Sequence, residues 1–473
     1  MVTDVKRRHL RIDGVAVAVA VGAAGFVVLL GYQMLTRLRL FHLNAFDVSI
    51  FDQGVWLLSR FQEPFVTVRG LNLFADHSSY IIIPLAPLFW ILPYQQTLIL
   101  LSIALMAIGG PLVYSTARVI GASRTLAAVV AFGYLLHPAV SWNARDSFHP
   151  EQFVLPLLLA AFLLFAKNHD VWAVAAVLLS LTAKEDVALI TVPFGLFVWW
   201  WFHKRRAGIT IVVASVAVFL VSFLVLLPSF SPTGELLYND RYAHLGDGIL
   251  GIMSGLVANP RVLLGALFDF SNIGYVAALI LPLPLALREP RALLMMVPAL
   301  VANLVSVHSY QAQIYYHYTV YPLVGVVVAA IIAASVATNW SDQARKAAMA
   351  VSIVAALAFF PLSGVFAEWN GPLADQEQYQ EALALVPPDV SVAAWYRFVP
   401  HLAHRTTVYQ LPNPWERSNY SAPGLPLPDP DTVEWVVIRR GEDVALSEQL
   451  LESGEFEIMY DEGSALVLKR KER

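Results

Sequence analysis

The 473-residue chain contains no cysteine. That excludes disulfides, thiolate metal sites and cysteine nucleophiles. Charge is scarce as well. Asp, Glu, Lys and Arg make up 14% of the residues, where a soluble domain carries about a quarter. There is no phosphate-cradling Walker loop and no convincing glycine fingerprint for a dinucleotide. No charged low-complexity tail and no long internal repeat is visible, and no nucleic-acid partner is expected. What the chain does have is apolar sequence. Hydrophobic residues make up 58% and the mean hydropathy is +0.61. Several apolar runs reach the roughly 20 residues that cross a bilayer. These features define a polytopic α-helical membrane protein.

Spans are predicted near 14–35, 95–117, 125–141, 152–166, 171–183, 187–202, 208–228, 272–287, 292–307, 318–338 and 346–366, about eleven in all. The apolar run after the basic N-terminus is too long for a signal peptide and reads as a retained first helix. "YIIIPLAPLFWILPY" (Tyr80 to Tyr94) has three prolines and reads as a re-entrant or juxtamembrane segment. With the N-terminus inside, the inner loops collect Lys6, Arg7, Arg8, Arg11, Arg118, Arg124, Lys167, Lys204, Arg205, Arg206, Arg288, Arg291, Arg345 and Lys346. The acids fall mostly on the other face. The formal net charge of -4 therefore says little, because the charge is divided between two sides.

From about residue 368 the pattern changes. "SVAAW", "TTVYQL", "DTVEWVVIRR", "FEIMY" and "ALVLKR" read as short strands; "DQEQYQEALALV" and "EDVALSEQLLES" read as helices. The expected organisation is a transmembrane module over 1–367 followed by a small α/β domain over 368–473. An odd number of spans places that domain outside.

Five polar clusters share this outer face. "NAFDVSIFDQGVW" and "FADHSSY" supply Asp47, Asp52, Asp76 and His77. "WNARDSFHPEQF" supplies Arg145, Asp146, His149 and Glu151. "LTAKEDVAL" supplies Lys184, Glu185 and Asp186. "YNDRYAH" supplies Arg241, and "VHSYQAQIYYHYT" supplies His308, Tyr316 and His317. Ionisable groups at membrane depth are expensive and tend to face a cavity or one another. One cavity at the outer boundary is therefore the expectation. Plainer readings stand beside it: a solvated acid in a loop, a helix cap at Asp47 or Asp52, an ion pair within Lys184–Asp186, an aromatic belt at the tyrosines. His137, before Pro138, reads as a span-end residue. A carboxylate can act as general base on a hydroxyl, and Arg145, Lys184 and Arg241 can hold a phosphate leaving group. Acids with histidine can also hold a divalent metal, though no spacing here is diagnostic of one.

These motifs carry a resemblance. "FDVSIFDQGVW", "DHSSYIIIPLAPLFWILP", "DSFHPEQFVLPLLL", "LTAKEDVAL" and "YYHYTVYPLV", in this order, resemble the bacterial membrane family called domain of unknown function 2079. The resemblance runs from about Asn44 to Tyr321 and continues more weakly into "SVAAWYRFVPHLAHRTTVYQLP". That family is grouped with GT-C-type glycosyltransferases, polytopic enzymes that use polyprenyl-phosphate sugars and carry a catalytic acid in the first outer loop. The resemblance thus implies Asp47 as that acid, a polyprenyl-phosphate sugar as donor, and an extracytoplasmic glycan, lipid or protein as acceptor. It also implies a bacterial inner-membrane location among membrane lipids. GT-C enzymes often show an adjacent acidic pair or a DxD. "FDVSIFD" spaces its acids more widely, which leaves metal dependence open. A transporter or lipid flippase using the same acids as an ion relay is the alternative, and a scaffold displaying the outer domain is a third.

Overall fold

Asp13 opens the first helix, α1 (Gly14–Arg39), by accepting the Val15 backbone N–H at 3.1 Å, and its other oxygen takes the Tyr114 hydroxyl at 2.8 Å. The computed structural model describes residues 13–237, 239–367 and 369–472, without the side chains of Asp47 and Asn239. Lys6, Arg7, Arg8 and Arg11 lie outside the described residues. Among the described residues, six helices are long and apolar enough to cross a membrane, or up to eight if each of two bent pairs is one span. The eleven predicted runs all fall on apolar helices, but these differ in kind. Six are the long helices, one is the pair Arg124–Leu135 and Pro138–Arg145, bent by 45°, and four are short: Pro150–Ala166, Asp170–Ser180, Phe270–Ile280 and Pro290–Val305. The second bent pair, Gly248–Ala258 with Pro260–Phe268 at 75°, was not predicted. Its halves are too short to register as spans, and Pro260 at the start of the second half ends the first.

The helices used below are α2 (Ala45–Ser59), α3 (Pro138–Arg145), α4 (Pro150–Ala166), α5 (Glu185–Phe202), α6 (Arg205–Phe230), α7 (Gly248–Ala258) and α8 (His317–Ala337). α8 is buried along nearly its whole length and forms the axis of the bundle. α1 and α6 are mostly uncovered, presenting Val21, Val28, Val213, Leu224 and Val225 outward. A lipid environment satisfies such surfaces, since all backbone polar groups are bonded within the helices. This is a membrane protein.

A two-residue hairpin, β1 (Phe65–Val66) against β2 (Leu71–Asn72), lies in the first loop. The C-terminal sheet contains β3 (Val392–Ala394), β4 (Val408–Gln410), β5 (Trp435–Arg439), β6 (Phe456–Glu462) and β7 (Ala465–Arg470) in the order β4-β3-β5-β7-β6. β3 is parallel to β4 and β5, and the β5–β7 and β6–β7 pairs are antiparallel. All five predicted strands and both helices, Gln376–Ala384 and Val444–Glu452, are present.

The sheet is bonded into the first loop. The Thr67 hydroxyl donates to the Val408 carbonyl and accepts the Val408 N–H, both at 2.8 Å, so one side chain completes the β4 edge. Gln53 Nε2 donates to Thr67 Oγ1 at 2.9 Å and to the Arg405 carbonyl at 3.1 Å. The Ala45 N–H donates to the Tyr396 carbonyl, and the Ser421 N–H to the Arg69 carbonyl. Asp52, fully buried, pairs with His404 Nε2 at 2.9 Å, under the ring of Trp56. Asp52→Ala removes the carboxylate that faces this imidazole, a loss of about 1–3 kcal/mol. Thermal unfolding in detergent should show the lowered midpoint, and limited proteolysis should release the C-terminal unit sooner. A variant that matches wild type on both readouts would show that the pair does not tether the two parts.

Candidate active site

The stretch Trp142 to Phe153 is built as a rigid turn. His137 caps α3 by accepting the Ala139 N–H at 3.1 Å while its Nε2 donates to the Leu279 carbonyl at 2.9 Å, so His137 is structural. α3 ends at Asp146, and Ser147 takes a left-handed conformation that reverses the chain. Gln152 then staples the turn: its Oε1 accepts the His149 N–H at 3.1 Å, and its Nε2 donates to the carbonyls of Asn143 and Ser147, both at 2.7 Å. The turn abuts α2. Phe51, one helical turn after Asp47, packs its ring on Phe148 and His149 at 5.8 and 5.9 Å. The side chain of Asp47 itself lies outside the described residues.

The turn points its charges at the start of α5. Lys184 Nζ donates to Glu151 Oε1 at 2.6 Å and lies 3.9 Å from Asp186, with Lys184 and Glu151 almost wholly buried. Burial opposes the Lys184 charge, but the carboxylates of Glu151, Asp186 and Glu185 outweigh it and hold its pKa above the usual lysine range. Lys184 is therefore a fixed ammonium. Glu185 accepts from His77 Nδ1 at 2.8 Å and from the Ser78 N–H at 3.0 Å, which ties the first loop to α5. Asp186 accepts the Tyr321 hydroxyl at 2.7 Å. At the head of α8, the His317 N–H donates to Asp146 Oδ2 at 2.7 Å and its Nδ1 sits 3.0 Å from the same oxygen. His317 Nε2 is 3.7 Å from Glu151 Oε1, and its ring stacks on His149 with centroids 3.8 Å apart.

Several of these groups line a cavity of about 470 Å3. Asp76, His77, Glu151, Lys184, Glu185, Asp186, Arg241 and His317 all line it. Much of the remaining lining is apolar: Phe219, Phe223 and Leu227 from α6, and Ile249, Ile252, Met253 and Leu256 from α7. Arg241 lies over the Tyr318 ring, and Asp76 pairs with Arg69 at 3.8 Å. Asp146 and His149 join through His317. Among the described residues, Asp146, His149 and His317 are the group with metal-ligating spacing.

Four residues expected in the site lie elsewhere. Asp52 faces His404. Arg145 is turned the other way, donating to the carbonyls of Ser363 and Ser141 and lying over Trp142, so its guanidinium serves the packing of α3. His308 is near Asp240 and stacks on Tyr310, and Tyr316, partly exposed, lies edge-on to the same ring. Neither is among the residues that line the cavity. Sequence reasoning left out Tyr242, Gln311, Asn303 and Tyr321, all on the wall. For Tyr321 a signal existed: it is four residues from His317, on the same helical face. A larger space of about 670 Å3, between α1 and the C-terminal unit, has no carboxylate on its walls.

The structure is thus a helical membrane bundle with a C-terminal α/β unit bonded to its first loop and a cavity lined by charged and apolar side chains. ArnT from Cupriavidus metallidurans bound to undecaprenyl phosphate shares this fold, with a TM-score of 0.53 and 12% identity over 95% of this chain and 97% of that one. The apo form of the same protein matches equally, covering 98% of its chain. The archaeal oligosaccharyltransferase AglB from Archaeoglobus fulgidus, in complex with an inhibitory peptide and a dolichol-phosphate, is more distant: 13% identity, 88% and 69% coverage, TM-score 0.38. No curated protein matches the sequence. The chain belongs to the predicted membrane protein family DUF2079, whose model matches residues 37–467.

Proposed function

We propose that this protein is an integral-membrane glycosyltransferase that moves a sugar from a polyprenyl-phosphate donor to an extracytoplasmic acceptor. The observation that carries the reading is a cavity lined by both charged and long apolar side chains. Lys184 and Arg241 suit a phosphate, and the α6 and α7 side chains suit an isoprenoid tail. That ArnT is described bound to undecaprenyl phosphate supports the same class of donor. In the reaction the acceptor hydroxyl attacks the anomeric carbon, the bond from that carbon to the phosphate oxygen breaks, and Asp47 takes the hydroxyl proton. The lipid phosphate leaves with its charge held by Lys184 and Arg241. His77, Glu185 and Asp186 fix the walls.

The relay alternative needs a polar path to the other face. Beyond Tyr321 the axial helix α8 has no ionisable residue as far as Ala337, which disfavours it. The test is transfer of label from a polyprenyl-phosphate sugar to an acceptor pool by purified protein in vesicles. A flippase makes no glycosidic bond and gives no labelled product.

The proposal includes the topology: N-terminus cytoplasmic, about eleven spans in the bacterial inner membrane, a transmembrane module over 1–367 and an extracytoplasmic unit over 368–473. Ser453 is exposed at the end of Val444–Glu452. Since the natural chain has no cysteine, Ser453→Cys gives a single reactive thiol. A membrane-impermeant maleimide should label it in intact spheroplasts. Labelling only after lysis would reverse the topology.

A further inference from the structure

We propose that the space between α1 and the C-terminal unit binds the headgroup of an anionic phospholipid whose acyl chains lie along α1. The space measures about 670 Å3 and is walled by α1, by the start of the helix Gln96–Val119 and by the helix Gln376–Ala384. The first two helices are long and apolar enough to cross a membrane, and the third belongs to the α/β unit. Tyr32 to Arg39 lie about 27–37 Å along α1 from its first residue, Gly14, and a hydrocarbon core is about 30 Å thick. The space therefore falls at a boundary of bilayer and water, the level of lipid headgroups, whichever side of the membrane it faces.

Its polar lining has one sign of charge. Arg39 from the last turn of α1 is joined by the amides of Gln95, Gln96 and Gln380, and no carboxylate lines the space. Glu381, next to Gln380 in the chain, is occupied elsewhere, accepting the Tyr460 hydroxyl at 2.7 Å. A phosphate diester finds a guanidinium and neutral donors there, with no competing anion. Gln96 Oε1 is buried and has no hydrogen-bond partner among the described residues. A headgroup hydroxyl supplies the missing donor, which favours a glycerol headgroup.

The acyl chains have a track. Val21, Gly25, Val28, Tyr32, Leu35 and Arg39 follow one another at spacings of four and three, so they share one face of α1. Val21, Val28 and Tyr32 on that face are exposed. From Tyr32 back to Val21 the helix runs about 16 Å, the depth of one leaflet. At the upper end Tyr32 lies against Trp369, ring centroids 5.8 Å apart, and such rings hold to the headgroup level. Gln380 belongs to the C-terminal unit, so a lipid in this place joins that unit to α1. The site is independent of the sugar-transfer reading, and its failure leaves that reading standing.

The experiment uses the full chain, stripped of lipid in detergent and titrated with phosphatidylglycerol or with phosphatidylcholine of the same acyl chains. Native mass spectrometry counts the bound lipid. Wild type should hold one phosphatidylglycerol at least about 10-fold more tightly than phosphatidylcholine. Arg39→Gln should lose that preference, since a hydrogen bond to a charged group is worth about 10-fold or more. Arg206→Gln, on another helix, should keep it. Equal binding of the two lipids overturns the proposal, and so does an Arg39→Gln protein that retains the preference. Glycerol phosphate without acyl chains should not displace the lipid; displacement at equal concentration would make the ligand a soluble phosphate and overturn the lipid assignment. If Arg39→Gln does not elute as a single species, wild type decides. Phosphatidylglycerol with a photoreactive diazirine in its acyl chains should label α1 between Val21 and Leu35, and no label there rejects the site.

Discussion

Asp47→Asn should abolish most sugar transfer while the protein still folds. The amide has the shape of the carboxylate and keeps hydrogen-bonding capacity, but it cannot take up the proton of the attacking hydroxyl. General-base catalysis contributes about 10²–10⁴-fold, so the variant should lose transfer by about that factor. The position suits the role. Asp47 lies in the first turn of α2, four residues before Phe51, whose ring touches that of His149. Initial rates with labelled polyprenyl-phosphate sugar in vesicles, together with the thermal midpoint, make the comparison. Wild-type turnover by the Asp47→Asn protein would remove Asp47 as the base while leaving the donor cavity intact.

The second large effect falls on stability. Lys184→Met removes the one cation bonded to Glu151 and leaves that carboxylate buried without its partner. Breaking a buried pair in this way costs about 3–5 kcal/mol, enough to lose most of the folded protein. Adding Glu151→Gln removes the stranded charge and should recover much of the loss. The double variant is then the useful one for binding: it folds, but lacks the point charge for the lipid phosphate and should bind the donor more weakly. Expression, thermal midpoint and lipid-phosphate binding separate the two roles. A Lys184→Met protein as stable as wild type would mean that the pair carries no structural weight.

Much of the fold is legible in the sequence because burial in lipid imposes long apolar runs, and half-buried strands impose alternation. The C-terminal strands and the helix positions follow from those two periods. The site is legible where its residues sit at span ends. Lys184, Glu185 and Asp186 interrupt an apolar stretch, and only a cavity or a partner explains that. Side-chain direction is not legible. Arg145 and Asp146 are neighbours, yet one turns to Ser363 and the other to His317. Asp52 reads like Asp47 in the sequence, but its partner, His404, lies in the last quarter of the chain, and no local pattern joins them. The wall from α7 was missed for another reason: eleven apolar residues are too few for a span, and only the packed bundle gives them a role.

The Thr67–Val408 and Gln53–Arg405 bonds join residues 341 and 352 positions apart. This sets a timetable for synthesis. At about 5–20 residues per second, the first loop emerges roughly 20–70 s before the strand that completes it. Through that interval α2 waits beside an unfinished partner, open to proteases and to chaperones. A chain cut short before β4 never receives that strand, and its first loop is never closed. Late closure thus acts as a completeness check, because only a ribosome that has read nearly the whole message yields a protein with a finished site.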